Sequence, residues 1–251
     1  MKRYIKGFYM SLGMFCAVPL PSRVWDDKFK NLALACLPLV GGIIGAAWWG
    51  AAELLAVLGA HTVLAAAALA LIPFITTGFI HLDGYMDTSD AVLSRRPAEE
   101  KQRILKDPHT GAFAVIMIAV LFVLQFASAY AAFEKGKYFA LLIVIAVVSR
   151  CCAAISVLCL QTTPQSGYAN MFRENTGAPQ KAFVIVAAGL AFALPFLYAG
   201  VFGPVLAVAT ALGYTAAMAY AYRDIKGVSG DLAGFALVIG ELCGLFTLAV
   251  I

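Results

Sequence analysis

Seven stretches of this chain run for about the length of a bilayer with hardly a charge among them: residues 31–59, 62–82, 111–132, 139–161, 182–199, 204–222 and 231–251. Crossing ~30 Å of hydrocarbon takes about 20 apolar residues in a helix, and a helix satisfies its own backbone N–H and C=O groups without water. Consecutive runs of this kind point to one fold class, an all-α polytopic integral membrane protein. Composition agrees, with 62% hydrophobic and 13% charged residues, against about 25% charged in an average soluble domain. No internal repeat, low-complexity tract or linker interrupts the pattern, so residues 1–251 read as a single transmembrane domain. The first run is longer than a bilayer needs at 1.5 Å per residue, and tilt or a break at Gly41-Gly42 is expected there.

The N-terminal stretch "MKRYIKGFYMSLGMFCAVPLPS" has a basic start and a short apolar run, like a secretory signal. It has no small-x-small site before Pro19 or Pro21, and Met14-Phe15 before Cys16 does not suit a lipoprotein signal, so it is read as part of the mature fold. Twelve basic residues fall in one set of connections: Arg23, Lys28, Lys30, Arg95, Arg96, Lys101, Arg103, Lys106, Arg173, Lys181, Arg223 and Lys226. The opposite set holds only Lys135 and Lys137. The positive-inside rule therefore predicts that the basic loops, and the aspartate segment with them, face the cytoplasm. Lys2, Arg3 and Lys6 belong with them if the first helix is interfacial or re-entrant and ends at Pro19 and Pro21.

The net charge of +4 is too small to imply nucleic acid. The six cysteines lie in apolar runs with no CxxC spacing and no histidine pair, which favours packing over zinc or disulfides. Glu53 sits near the outer boundary, where it is readily hydrated. Arg150 and Glu241 fall near the centres of their runs, each costing about 3 kcal/mol unless paired or solvated, and are expected to neutralise one another or line a polar cavity.

Chemistry is expected where the second run ends, in "GFIHLDGYMDTSDAVLSRR" from Gly78. A helix continuing through it places Asp83, Asp87 and Asp90 within about 60° of one another, on one face. Like charges ~6 Å apart at an effective dielectric of ~20 repel by nearly 3 kcal/mol, which a cation relieves. Oxygen ligands favour Mg²⁺, Mn²⁺ or Ca²⁺, and Mg²⁺ where a phosphorylated substrate completes the shell. Gly84 would admit a ligand closely, and Arg95 and Arg96 follow within reach of a phosphate. A solvated helix end is the plain alternative.

Further on, "LKDPHTGAF" places Asp107 as an N-cap with Pro108 at the first helical position, or as part of an anion site with Lys106 and His109. His81 and His109 are each open to roles as acid, base, ligand or simple hydrogen-bonding residue. In "KGVSGDLAGFALVIGELCG", Gly230 precedes Asp231, which stands where a cap would, or where a fourth carboxylate would meet a phosphate beside backbone amides.

"GFIHLDGYMDTSD", "LKDPHTGAF", "SRCCAA" from Ser149 and "SGD" with "GELCGL" together resemble, in order and spacing, the membrane-bound cobalamin (5′-phosphate) synthases, or adenosylcobinamide-GDP ribazoletransferases, over nearly the whole chain. The resemblance implies a Mg²⁺-dependent enzyme of the cytoplasmic (inner) membrane, in late nucleotide-loop assembly of vitamin B12. Such an enzyme joins α-ribazole, or α-ribazole 5′-phosphate, to adenosylcobinamide-GDP with release of GMP. Asp83, Asp87 and Asp90 would be metal ligands, with Asp90, Asp107 and His81 as catalytic candidates. Gly84, Arg95, Arg96, Lys106, His109, Arg150, Gly230 and Asp231 would bind substrate. Its partners would be these small molecules and the lipid bilayer, with a homo-oligomer left open. Three positions depart from the family pattern: Ala91 follows the third aspartate where glycine is frequent, "TTPQSG" replaces Tyr-Ala-Arg before Gly167, and Lys226-Gly227 replaces Gly-Gly. Two other classes fit parts of the chain. A CDP-alcohol phosphotransferase expects DGxxAR where Tyr85-Met86-Asp87 stands, and a secondary transporter would use Arg150 and Glu241 but expects repeated halves.

Overall fold

The computed structural model describes residues 2–21, 25–163, 166–173 and 176–251. Arg23 of the charge count lies outside them. The described residues form α1 (Lys2–Phe15), α2 (Lys30–Ala35), α3 (Leu37–Val57), α4 (Thr62–Thr76), α5 (Ile80–Leu93), α6 (Ala98–Ile104), α7 (Ala112–Lys135), α8 (Leu141–Cys159), α9 (Gly167–Arg173), α10 (Ala178–Ala193), α11 (Pro195–Ala199), α12 (Phe202–Ile225) and α13 (Gly230–Val250). Six of these spans are long and apolar enough to cross a membrane, α10 and α11 together making one; α4 and α5, bent by 91° at their junction, make a seventh only when counted as one broken span. The protein is an all-α, multi-pass membrane protein.

Burial sorts the helices. In α8 and α13, 72% and 61% of the apolar window is buried, whereas in α7 and the α10–α11 span it is 28% and 17%. α8 and α13 are therefore the centre of the bundle, and the others turn apolar faces such as Val123, Leu124, Ile185 and Leu197 outward, where lipid takes the place of a protein core.

Two breaks differ from the sequence expectation. The first run parts at Cys36, between α2 and α3, and not at Gly41-Gly42. Gly41 is instead a crossing point, since a Cβ there would lie 2.6 Å from the Ala146 carbonyl oxygen and 2.9 Å from Arg150 Cδ. The second run ends at Thr76. Pro73 lacks an N–H, the Thr77 hydroxyl donates to the Pro73 carbonyl at 2.9 Å, and Gly78 and Phe79 both adopt left-handed backbone (φ 62° and 64°). The chain turns by 91°, so α5 lies across the ends of α7 and α13 and does not continue α4. The helix closing the N-terminal segment stops at Phe15, ahead of Pro19, and packs on α2 and α3.

The ends of the bundle differ in kind. Lys135 donates to the Val250 carbonyl at the last turn of α13, while Asp231 stands in its first turn. The aspartates and the basic connections thus share one end, opposite Lys135.

Candidate functional site

α5 carries the acidic motif on one face and packs with the other. His81, Leu82, Gly84, Tyr85, Thr88, Ser89, Ala91 and Val92 are buried, whereas Asp83 is exposed and Asp87 and Asp90 are half-buried. Tyr85 anchors the buried face by stacking on Phe235 of α13 (5.5 Å between ring centroids) and donating to the Met117 carbonyl of α7 at 3.2 Å.

Gly84 does not face an open ligand space. A Cβ there would lie 2.8 Å from Asp231 Cα and 2.9 Å from the Asp231 carbonyl oxygen, so the missing side chain lets α5 and α13 cross backbone to backbone. Gly234, one turn further along α13, meets the His81 carbonyl in the same way, at 3.2 Å. This crossing brings Asp231 to the aspartate face of α5. The Asp87 carboxyl records the convergence: burial, then the charges of Asp83, Asp231 and Asp90, push it from 3.8 up to about 6.

Asp231 is not the cap of α13. Ser229 is, its hydroxyl accepting from Leu232 N at 3.3 Å and donating to Asp231 Oδ2 at 3.3 Å. Gly111 at the start of α7 leaves room for Asp90, whose carboxylate a Cβ at that position would strike. Asp107 is not a helix cap either, because α7 begins five residues later. Its Oδ1 accepts from the backbone N–H of His109 at 3.0 Å and lies 2.6 Å from His109 Nδ1. These bonds hold the exposed Asp107 carboxyl below its ordinary value. Asp107 and His109 thus pair with one another in an exposed loop.

Among the described residues no three His, Cys, Asp or Glu side chains form a ready-made metal cage, so Asp83, Asp87 and Asp90 share a face without closing around one point. Four carboxylates at one end of the bundle, Asp83 exposed and Asp87, Asp90 and Asp231 half-buried, still suit an ion that keeps several waters and takes one or two carboxylates plus substrate phosphates, as Mg²⁺ does.

Two cavities meet at Gly230 and Asp231. One, about 160 Å³, is lined by Lys106, Ser166, Gly167 and Ser229 among others. The second, about 400 Å³, is apolar, and its walls come from α1, α5, α8, α9 and α13, with His81 in one of them. His81 is buried there, 8% exposed. Arg95 has left-handed backbone at the end of α5 and Arg96 pairs with Glu100 at 3.8 Å; both side chains are exposed at the margin.

Arg150 is not at the rim. It is ion-paired with Glu241 in the centre of the bundle, and the Ser149 hydroxyl donates to the same carboxylate oxygen at 3.2 Å. The expected neutralisation is what the fold contains, and Arg150 is a core residue rather than a direct substrate contact.

Sequence reasoning passed over three features. Lys101 of α6 is buried and ion-paired with Asp224 of α12, tying the basic loop to the bundle. Val228 N donates to the Gln161 carbonyl at 2.9 Å and Thr163 N to the Val228 carbonyl at 3.1 Å, which holds the loop after α8 against the approach to α13. Ser229 is the true cap. Only the last had a local signal, a serine two residues before an acidic first turn.

Fold and site together define a multi-pass membrane protein with a carboxylate cluster across one end of its bundle, beside two cavities. A model of the cobalamin-5-phosphate synthase family matches residues 7–249, and the chain belongs to that family. It is 37% identical over 247 residues to an adenosylcobinamide-GDP ribazoletransferase of Clostridium botulinum, covering 98% of both chains. The protein of the same name from Clostridium perfringens is 35% identical over 251 residues and 100% of both, and that from Geobacillus thermodenitrificans 31% over 248 residues, 96% of this chain and 94% of the other. No solved structure matches the chain.

Proposed function

We propose that this protein is an adenosylcobinamide-GDP ribazoletransferase of the cytoplasmic membrane, with its site facing the cytoplasm and Mg²⁺ as its metal. A ribose hydroxyl of α-ribazole, or of its 5′-phosphate, attacks the corrinoid-side phosphorus of the diphosphate. The P–O bond to GMP breaks, and a phosphodiester remains. The observation that carries this reading is the crossing at Gly84, which sets Asp231 of α13 against Asp83, Asp87 and Asp90 of α5.

Attack on a diphosphate places negative charge on the bridging and leaving oxygens, and positioned cations stabilise it. A bound Mg²⁺ supplies that charge when Asp83 and Asp87 hold it. Asp90, lodged against Gly111, would accept the hydroxyl proton or complete the metal shell. Lys106, on the wall of the smaller cavity with Ser229 and Gly230, would meet a phosphate. Arg95 and Arg96 extend the positive margin for the GDP moiety. Asp107 and His109 form a satisfied exposed pair and stand as secondary candidates. A CDP-alcohol phosphotransferase is disfavoured by Asp87 and Thr88, which stand where the DGxxAR pattern counted from Asp83 expects alanine and arginine.

The test is GMP release by purified protein in detergent, with adenosylcobinamide-GDP, α-ribazole and Mg²⁺ and no ion gradient. Asp83→Ala and Asp87→Ala are expected to lose at least ~100-fold in kcat at saturating Mg²⁺, the order of loss for removing one electrostatic stabiliser. Full activity of either removes the metal role, and turnover of CDP-diacylglycerol in place of the corrinoid removes the assignment.

A further inference from the structure

At the end of the bundle away from the aspartates, a carboxylate stands about one turn inside an apolar span without a counter-charge. Glu53 precedes the end of α3 at Val57, and its neighbours Leu54 and Val57 are exposed toward lipid. Its Oε1 accepts from Trp49 Nε1 at 2.9 Å, and among the described residues it forms no ion pair. The lysines of this end do not supply one. Lys135 donates to the Val250 carbonyl, and Lys137 is exposed and pairs with no carboxylate among the described residues. A charge at the margin of hydrocarbon is costly unless paired or hydrated, so an external cation is favoured here.

Glu53 lines a cavity of about 340 Å³ whose walls also include Phe133, Tyr138, Phe139 and Tyr198. Tyr138 has left-handed backbone (φ 57°), uncommon for an aromatic residue, and its carbonyl accepts from Leu141 N at 2.8 Å where α8 begins. That turn sets its ring edge-on to Tyr198, with 6.0 Å between centroids. Aromatic rings beside a carboxylate suit an ammonium group. Tyr198 also lines a second cavity, an apolar groove of about 460 Å³ between α3, α8 and α10, with Leu141, Val144, Ala187 and Leu190 in its walls. From Tyr198 to Ala187 the groove follows ~16 Å of span at 1.5 Å per residue, about half the ~30 Å thickness of the hydrocarbon. It is open at Gly42, where a Cβ would meet nothing within 4 Å.

We propose that the two cavities together hold one phospholipid whose headgroup ends in a primary ammonium, with the ammonium beside Glu53, Tyr138 and Tyr198 and one acyl chain along the groove. The observations choose this occupant. A soluble amine would leave the groove unfilled, and a lipid with an uncharged headgroup terminus would leave Glu53 unpaired. A quaternary ammonium has no N–H to give the carboxylate, whereas a primary ammonium donates a charge-assisted hydrogen bond. The site lies in the leaflet opposite the carboxylate cluster, takes no part in the transfer, and does not depend on the transferase reading.

The test is native mass spectrometry of the full-length, delipidated protein in detergent. It is titrated with phospholipids that share their acyl chains and carry ethanolamine, choline or glycerol headgroups, and separately with free phosphoethanolamine. The wild type is expected to bind the ethanolamine lipid about tenfold more tightly than the other two. Free phosphoethanolamine, with no chain to bury, is expected to bind at least ~100-fold more weakly. Glu53→Gln, which keeps an acceptor for Trp49 and loses the charge, is expected to bind the three lipids alike. Gly42→Leu, which fills the groove, is expected to weaken all three and keep their ratio. Both variants should unfold at the wild-type midpoint in lipid-free detergent, because Glu53 is exposed and Gly42 has room. Tyr198→Leu, at the wall common to both cavities, is expected to lower affinity and preference together, and it probes the same site should either of the others misfold. Equal binding of the three lipids by the wild type, an undiminished preference in Glu53→Gln, or wild-type affinity in Gly42→Leu would overturn the proposal. Phosphoethanolamine binding as tightly as the lipid would give the site to a soluble amine and overturn it as well.

Discussion

Neutralising Asp87 should make the metal-free protein more stable, against the usual direction of a site mutation. Burial and three neighbouring carboxylates hold the Asp87 carboxyl at about 6 instead of 3.8. A displacement of about two units corresponds to ~3 kcal/mol at 1.36 kcal/mol per unit. Because the side chain is only half-buried, solvent screening reduces this to ~1–2 kcal/mol. The folded-state value is raised, so the favourable contribution is complete below pH 3.8 and lost as pH rises through about 6. At pH 7.5, Asp87→Asn should therefore unfold ~1–2 kcal/mol harder than the wild type in chelator, and the difference should shrink toward pH 4. Mg²⁺ at a hundred times its Kd should add ~2.7 kcal/mol to the wild type and much less to the variant. Below pH 6 the proton competes for the same carboxyl, so the Mg²⁺ effect on the wild type should fade. Denaturant unfolding in detergent, followed by the fluorescence of Trp25, Trp48 and Trp49, measures all of this. A destabilised Asp87→Asn in chelator, or equal Mg²⁺ stabilisation of both proteins, would show that the four carboxylates do not converge.

Gly84→Ala places a methyl 2.8 Å from the α13 backbone. It should cost ~1–3 kcal/mol by overpacking and lower kcat by moving Asp231, read by unfolding and GMP release on the same preparation. Lys226 closes α12 in the left-handed region (φ 63°), so Lys226→Gly should stabilise the protein by ~0.5–1 kcal/mol in denaturant unfolding. Glu241→Ala strands the buried Arg150 and should cost ~3–5 kcal/mol, whereas replacing both partners with apolar residues should restore much of the loss.

Some of the departures from the family pattern acquire a physical meaning in the fold. The glycine expected at 226 belongs to a helix end with left-handed backbone, and Lys226 adopts it at some cost. Gly227 is retained where a Cβ would sit 2.6 Å from Thr163 Cγ2, at the junction that ties the loop after α8 to α13. The change to "TTPQSG" falls in that loop, whose residues 164 and 165 lie outside the described ones.

What could be read directly from the chain was whatever depends on near neighbours or on solvent. Helix periodicity put Asp83, Asp87 and Asp90 on one face, and apolar run length produced the spans. The cost of a lone charge in hydrocarbon was enough to pair Arg150 with Glu241 across 91 positions. What the chain could not disclose were contacts between segments remote in sequence. Asp231 read equally as a cap or as a fourth carboxylate, because a cap is a local pattern, and only the crossing at Gly84 brings it to the aspartate face of α5. Gly84 and Gly41 read as a ligand approach and a break, since an absent side chain does not say what fills its place. The 91° turn at Gly78-Phe79, which moved the acidic helix from the end of a span to a shelf across α7 and α13, follows from two left-handed residues. Nothing local requires a phenylalanine to adopt that conformation; the packing of α5 on α7 and α13 does.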